Sequence, residues 1–138
     1  MKEESGRDSE SKKAYVLDTN ALLLGFRGVK NLYTTEEAIK EVKYDDLQVA
    51  RLEAMLTSGA LKIARPTTEA MEKIKKSAGN QLHRLSQADL TILAAAIDLT
   101  KTHEEVIIVT DDYAIQQLAT KLLLSFTPLK HRGIRKTR

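Results

Sequence analysis

The chain has 138 residues, 42% of them hydrophobic, which is enough for one domain with a proper core. It contains no cysteine, so disulfides and thiolate metal sites are excluded, and any metal must be held by oxygen or by His83, His103 and His131. The formal charge of +3 is unevenly spread, because residues 128–138 carry Lys130, Arg132, Arg135, Lys136 and Arg138 with no acid, leaving the rest of the chain net acidic.

The opening "MKEESGRDSESKK" mixes charges without an apolar pattern and reads as a disordered extension over residues 1–13, not as a signal peptide. No apolar run approaches the roughly 18 residues that span a bilayer, so a soluble, cytoplasmic protein is expected. "AYVL" reads as a buried strand ending at Asp18, and "TNALLLGF" as a short helix or turn. In "LYTTEEAIKEVKYDD", Thr34 with Glu37 predicts a capping box opening a helix whose inner face is Ala38, Ile39 and Val42. A second helix follows with Leu47, Ala50, Leu52 and Leu56 apolar, and stops at Gly59.

"LKIARP" is a strand candidate closed by Pro66, and a polar helix runs from Thr67 towards Gly79. Ser86 then opens "SQADLTILAAAIDL", where Leu90, Leu93, Ala94 and Ile97 form a core stripe at helical spacing. "VIIVT" is a buried strand. The helix after it presents Ile115, Leu118, Ala119 and Leu122, and "LSFTP" is a last edge strand. Strands alternating with helices, with continuous apolar runs, predict a three-layer α/β/α sandwich with a mostly parallel sheet of four or five strands over residues 14–129, followed by a basic tail over 130–138.

The acids give this fold a chemical reading. "VIIVT" runs straight into Asp111 and Asp112, and like charges about 4 Å apart repel by about 4 kcal/mol at an effective dielectric near 20 unless a cation lies between them. In a parallel sheet, sites form beyond the carboxyl ends of strands, where Asp18 also stands. The helix opened by Ser86 leads into "VIIVT", so its first turn, with Asp89, belongs at the same edge; Asp89 lies about 40° from Leu93 on the wheel and borders the core stripe. Each acid also has a plain capping role: Asp18 and Asp112 as N-caps, Asp89 in an S-x-x-D box with Ser86. Together, clustered oxygens without cysteine or patterned histidine predict a Mg²⁺ or Mn²⁺ site completed by water and a substrate phosphate.

"YVLDTNALL", "EEAIKEV", "LSQADLTILAAA" and "VTDDYAIQQLA", in this order and spacing, resemble the PIN-domain nucleases from Ala14 to about Leu129. The resemblance implies divalent metal bound by Asp18, Glu41, Asp89 and Asp112, with Asp111 as a further metal-binding candidate and Asn20 and Thr110 as supporting groups. Glu41 comes from the resemblance alone; the residues themselves leave Glu36 and Glu37 open. The implied chemistry is metal-dependent hydrolysis of RNA phosphodiesters by an activated water, giving 5′-phosphate and 3′-hydroxyl ends. Within the family the pattern looks most like the archaeal Nin-one-binding endonuclease of small-subunit ribosomal RNA maturation. That type continues into a cysteine-rich zinc ribbon, so this cysteine-free chain is read as a fragment or a stand-alone relative.

An acidic pocket repels RNA, so binding is assigned to Lys130, Arg132, Arg135, Lys136 and Arg138, with Lys121, Arg84 and His83 as further candidates that are equally ordinary surface residues. The expected partners are ribosomal RNA or a pre-ribosomal particle, with no membrane and with a homodimer left open. Three rivals stand beside this reading. A phosphohydrolase of the haloacid dehalogenase type needs an acid where Asn20 stands, which counts against it. A toxin-type PIN ribonuclease of a toxin–antitoxin pair and a non-catalytic RNA-binding assembly module both remain compatible with the residues.

Overall fold

A computed structural model describes residues 12–129. Five strands, β1 (Lys13–Leu17), β2 (Leu32–Thr34), β3 (Leu61–Ile63), β4 (Glu105–Val109) and β5 (Ser125–Thr127), form one sheet in the order β3-β2-β1-β4-β5. Every pairing is parallel. The connecting helices are α1 (Thr19–Leu23), α2 (Glu36–Lys40), α3 (Asp46–Ser58), α4 (Thr68–Ala78), a 3-10 turn over Gly79–Arg84, α5 (Gln87–Leu99) and α6 (Tyr113–Lys121). This is the expected α/β sandwich, with all five strands parallel. Among the described residues no helix is long and apolar enough to cross a membrane.

The apolar runs explain the centre of the sheet. Ala14, Val16, Leu17, Val106, Ile108 and Val109 are buried, as strands covered on both faces must be. Helix α5 is buried nearly all round, with Ala88 and every residue from Leu90 to Ala96 inside, and it packs on α2, α4, β1 and β4. Its run of three alanines lets these backbones approach closely. Burying side chains such as Ile92 and Leu93 contributes about 1.5–3 kcal/mol each.

The chain winds from β1 outward to β3, then crosses back to β4 and outward to β5. The winding therefore reverses between β1 and β4, the place where open α/β sheets leave a crevice at their carboxyl ends. The register is in step there: Leu17 pairs with Val109, so Asp18 and Thr110 leave the sheet side by side, and the Asp18 N–H still donates to the Val109 carbonyl at 3.3 Å.

Five local readings needed correction. The three-residue strand β2 is hidden in "LYT", too short for a period to show. Thr34 ends that strand and donates to the Leu17 carbonyl at 2.9 Å, while Thr35 caps α2 by accepting from the Ala38 N–H at 3.2 Å, so there is no Thr34–Glu37 box. Helix α2 stops at Lys40, which leaves Val42 beyond it and half-buried. In α3 the inner stripe is Leu52, Met55 and Leu56; Leu47 is 76% exposed and Ala50 faces solvent. Gly59 does end α3, at φ 85°, a left-handed conformation that favours glycine. The strand β1 begins at Lys13, one residue earlier than its apolar run suggests.

Candidate active site

Asp18 follows β1 directly and is 5% exposed. Its Oδ1 accepts from the Ala21 N–H at 2.9 Å, capping α1 as expected. Burial raises its carboxyl above the ordinary aspartate value; hydrogen bonds from Thr110 and from the Ala21 amide oppose this, and the nearby Asp112 and Asp111 add to it. Thr110, itself fully buried, serves both neighbours: its hydroxyl donates to Asp18 and accepts the Asp112 N–H at 3.0 Å.

Asp112 stands exposed at the start of α6, and its Oδ1 accepts from the Ala114 and Ile115 N–H groups at 2.8 and 3.2 Å. Gln116 reaches back from the same helix to donate to the Thr110 carbonyl at 3.0 Å, fixing the turn between β4 and α6. Asp89 lies half-buried in the first turn of α5. The capping box is real: the Asp89 carboxylate accepts from the Ser86 N–H at 2.9 Å while the Asp89 N–H donates to Ser86 Oγ at 3.1 Å. Burial raises this carboxyl too, Ser86 opposes the shift, and the charges of Asp112 and Glu41 reinforce it.

The four residues are linked through their charges. Asp112 acts on both Asp18 and Asp89, and Glu41 acts on Asp89, so carboxylates 18, 41, 89 and 112 share one field although they come from four separate elements. The three candidate glutamates are placed differently. Glu36 pairs with Arg65 at 3.4 Å and Glu37 faces solvent, whereas Glu41 is held by the Thr19 hydroxyl, which donates to its Oε1 at 2.8 Å. Thr19 was missed from the sequence. The signal was its place in "DTN", where the residue after a capping acid points across to the neighbouring helix.

A second omission is the buried hydroxyl pair Thr35 and Thr91, 2.8 Å apart, which ties the start of α2 to α5 and so sets Glu41's helix against Asp89's. Asn20 stands exposed in the first turn of α1. Asp111 is half-buried, and its Oδ1 accepts from the Leu129 N–H at 2.7 Å, tying down the chain after β5. Of the lesser RNA candidates, His83 Nδ1 lies 2.8 Å from the Asn80 carbonyl, Arg84 is exposed, and Lys121 donates to the Ser77 carbonyl at 2.8 Å. Lys130, Arg132, Arg135, Lys136 and Arg138 lie outside the described residues.

The donors at this edge are all oxygen, the choice of hard divalent cations. Among the described residues no group of three or more His, Asp or Glu side chains is placed so as to hold an ion by itself.

Comparison with known proteins gives a consistent picture. Residues 15–99 match the family model described as the PIN domain of ribonuclease. Over 132 residues the chain is 36% identical to Ribonuclease VapC3 of Aeropyrum pernix, covering 93% of this chain and 94% of that protein. It is 35% identical to Endoribonuclease Nob1 of Pyrococcus abyssi over 88% of this chain and 71% of that one, and 30% identical to Endoribonuclease Nob1 of Archaeoglobus fulgidus over 90% and 73%. With a sheet that reverses its winding between two acid-bearing strands and a family match over more than half its length, the chain belongs to the PIN-domain ribonucleases.

Proposed function

We propose that the protein is a divalent-metal-dependent endoribonuclease whose site is built from Asp18, Glu41, Asp89 and Asp112. The observation that carries this is the burial of Asp18 beside the other acids at the sheet's reversal point: a desolvated carboxylate among like charges is unfavourable without a cation. Asp18, Asp89 and Asp112, with Glu41 at the rim, would hold Mg²⁺ or Mn²⁺. When bound, the metal supplies an activated water and charge neutralisation at the scissile phosphate. The chain's own part is positioning. Thr110 spaces Asp18 from Asp112, Thr19 orients Glu41, and the Ser86 box orients Asp89. The basic residues 130–138 would hold the RNA backbone against the repulsion of this acidic pocket.

For the substrate, the likeness to Endoribonuclease Nob1 in two archaea favours the ribosomal reading of the motifs, a role in the maturation of small-subunit ribosomal RNA. A second reading, a toxin-type ribonuclease, is favoured by the 36% identity to Ribonuclease VapC3 over nearly the whole of both chains. Incubating the protein in Mn²⁺ with a labelled small-subunit rRNA 3′-end precursor and with unrelated structured RNAs separates the two. Cutting at one site in the precursor is expected. Equal cutting of every RNA would favour the toxin-type reading, and no cutting of any RNA in Mn²⁺ or Mg²⁺ would overturn the nuclease proposal.

A further inference from the structure

Beside the acids lies a second feature. Ser77 at the end of α4, Gln81 in the 3-10 turn and Ala114, Gln117, Leu118 and Lys121 of α6 enclose a cavity of about 210 Å³. It lies near the acidic site, because one of its lining residues, Ala114, donates its N–H to Asp112. At 1.5 Å rise per residue, Ala114, Gln117 and Lys121 lie about 3, 7.5 and 13.5 Å along the helix axis from Asp112, the reach of one or two nucleotides. The volume is below the roughly 300–1,000 Å³ of pockets that take whole drug-sized ligands, and suits a fragment such as a single base with part of its sugar.

The lining is chemically suited to a nucleotide. The exposed amides of Gln81 and Gln117 each offer two donors and an acceptor, the complement of a base edge, and among the described residues no other group engages either amide. Lys121 donates to the Ser77 carbonyl at 2.8 Å, which leaves two of its three ammonium protons for a phosphate. Tyr113, 67% exposed, follows Asp112 and shares a stripe with Gln117 and Lys121 at i, i+4 and i+8, where an aromatic ring can carry a stacked base.

The charge balance agrees. From Lys73 to Ala88 the sequence carries Lys73, Lys75, Lys76 and Arg84 and no acid, and from Tyr113 to Lys121 it carries none either. Both walls of the cavity are thus free of the negative charge that fills the neighbouring site. A polyanion repelled by the acids finds its nearest acceptable surface here.

We propose that this cavity is a substrate subsite that binds the nucleotide next to the scissile phosphate, with its base between Gln81 and Gln117 and a phosphate at Lys121. The proposal rests on the ribonuclease reading and deepens it.

Two measurements on the full chain separate its failure from that of the reading. The first is amide chemical-shift mapping with a single-stranded pentaribonucleotide in EDTA, which reads binding without turnover. The second is cleavage of the same strand in Mn²⁺. Shifts are expected at Gln81, Ala114, Gln117 and Lys121, and Gln117→Ala and Gln81→Ala should each weaken binding about tenfold, with the loss in KM larger than that in kcat. Gln117→Glu should weaken it further by adding a negative charge. Because Lys121 also caps the end of α4, the glutamine variants carry the test if Lys121→Ala unfolds.

If the strand is never cleaved but these amides shift and the glutamine variants bind less, the nuclease reading fails and the subsite stands. If wild type cleaves while the cavity amides are silent and both glutamine variants keep KM, the subsite is overturned and the nuclease reading stands. If neither binding nor cleavage occurs, both fall.

Discussion

Asp18 and Asp112 do the same local job in the same kind of place. Each follows a strand of the central pair, Asp18 directly and Asp112 two residues beyond Thr110, and each caps the helix that comes next with its Oδ1. Yet Asp112 stands in solvent and Asp18 is 5% exposed, its carboxyl raised by burial. Capping is enough to account for the exposed position of Asp112. It does not explain Asp18, because an exposed cap supplies the same stabilisation, about 1 kcal/mol, without desolvating a charge. The excess burial of Asp18 is therefore a feature of the pocket and not of the helix, and the two aspartates should separate under substitution.

The largest separation lies between function and folding. Asp18→Asn and Asp112→Asn should each lower Mn²⁺-dependent RNA cleavage by more than the roughly 10–100-fold that outer partners of metal ligands cost, since both acids are proposed ligands. Isothermal titration should show weaker Mn²⁺ binding in both variants; unaltered binding would remove the metal from this edge. Thr19→Val should fall within that outer-partner range, about tenfold in kcat/KM, because it frees Glu41 without removing its charge. A Thr19→Ser variant, which keeps the hydroxyl, should recover most of the loss. Equal activity in all three proteins would mean that Glu41 needs no orientation.

Stability sharpens the contrast at a smaller scale. Asp112→Ala loses two helix N–H partners and should cost about 1 kcal/mol, lowering Tm by about 3–5 °C. Asp112→Asn keeps a capping acceptor and should be close to neutral. Asp18→Asn, measured without metal, should raise Tm, because it removes a buried charge while leaving an oxygen for the Ala21 N–H. A fall in Tm for Asp18→Asn would show that the charge, and not just the acceptor, stabilises this corner.

Much of this was legible in the sequence, and the reasons are specific. The buried centre announced itself because "AYVL", "VIIV" and "TILAAA" are apolar whatever their neighbours do, and a strand covered on both faces needs nothing else. Asp18 and Asp112 were legible because a strand followed by an acid and a helix fixes both the cap and the sheet edge, and Asp89 because its S-x-x-D box opens the helix that leads back into β4. Glu41 was not. It sits just past the end of the five-residue helix α2, exposed, and only the tertiary contact with Thr19 and the Thr35–Thr91 hydroxyl pair bring it to Asp89. Strand β2 was lost for a related reason: three residues carry no period, and its place in the sheet comes from pairing with β1 and β3. In α3, amphipathicity named the helix but not the face, since Leu47 is apolar and exposed.

The finest test of the comparison is pH. Asp18 and Asp89 have folded-state carboxyls raised above the ordinary value of 3.8, chiefly by burial, so at pH above that value the folded protein holds more protons than the unfolded chain. The slope of unfolding free energy with pH follows the protons bound in the unfolded state minus those in the native state, which is negative here. These two groups therefore contribute stability that is present below about pH 3.8 and is lost as pH rises through their raised folded values. Carboxylates held by favourable hydrogen bonds act in the opposite direction, so the measurement is a difference: Tm of wild type minus Tm of Asp18→Asn, without metal, across pH 4 to 7. That difference should grow more negative with rising pH, and Mn²⁺ should reverse its sign by binding the native wild type more tightly than the variant. A flat difference would mean that Asp18 titrates as it does in the unfolded chain and that its burial carries no electrostatic consequence for a cation to relieve.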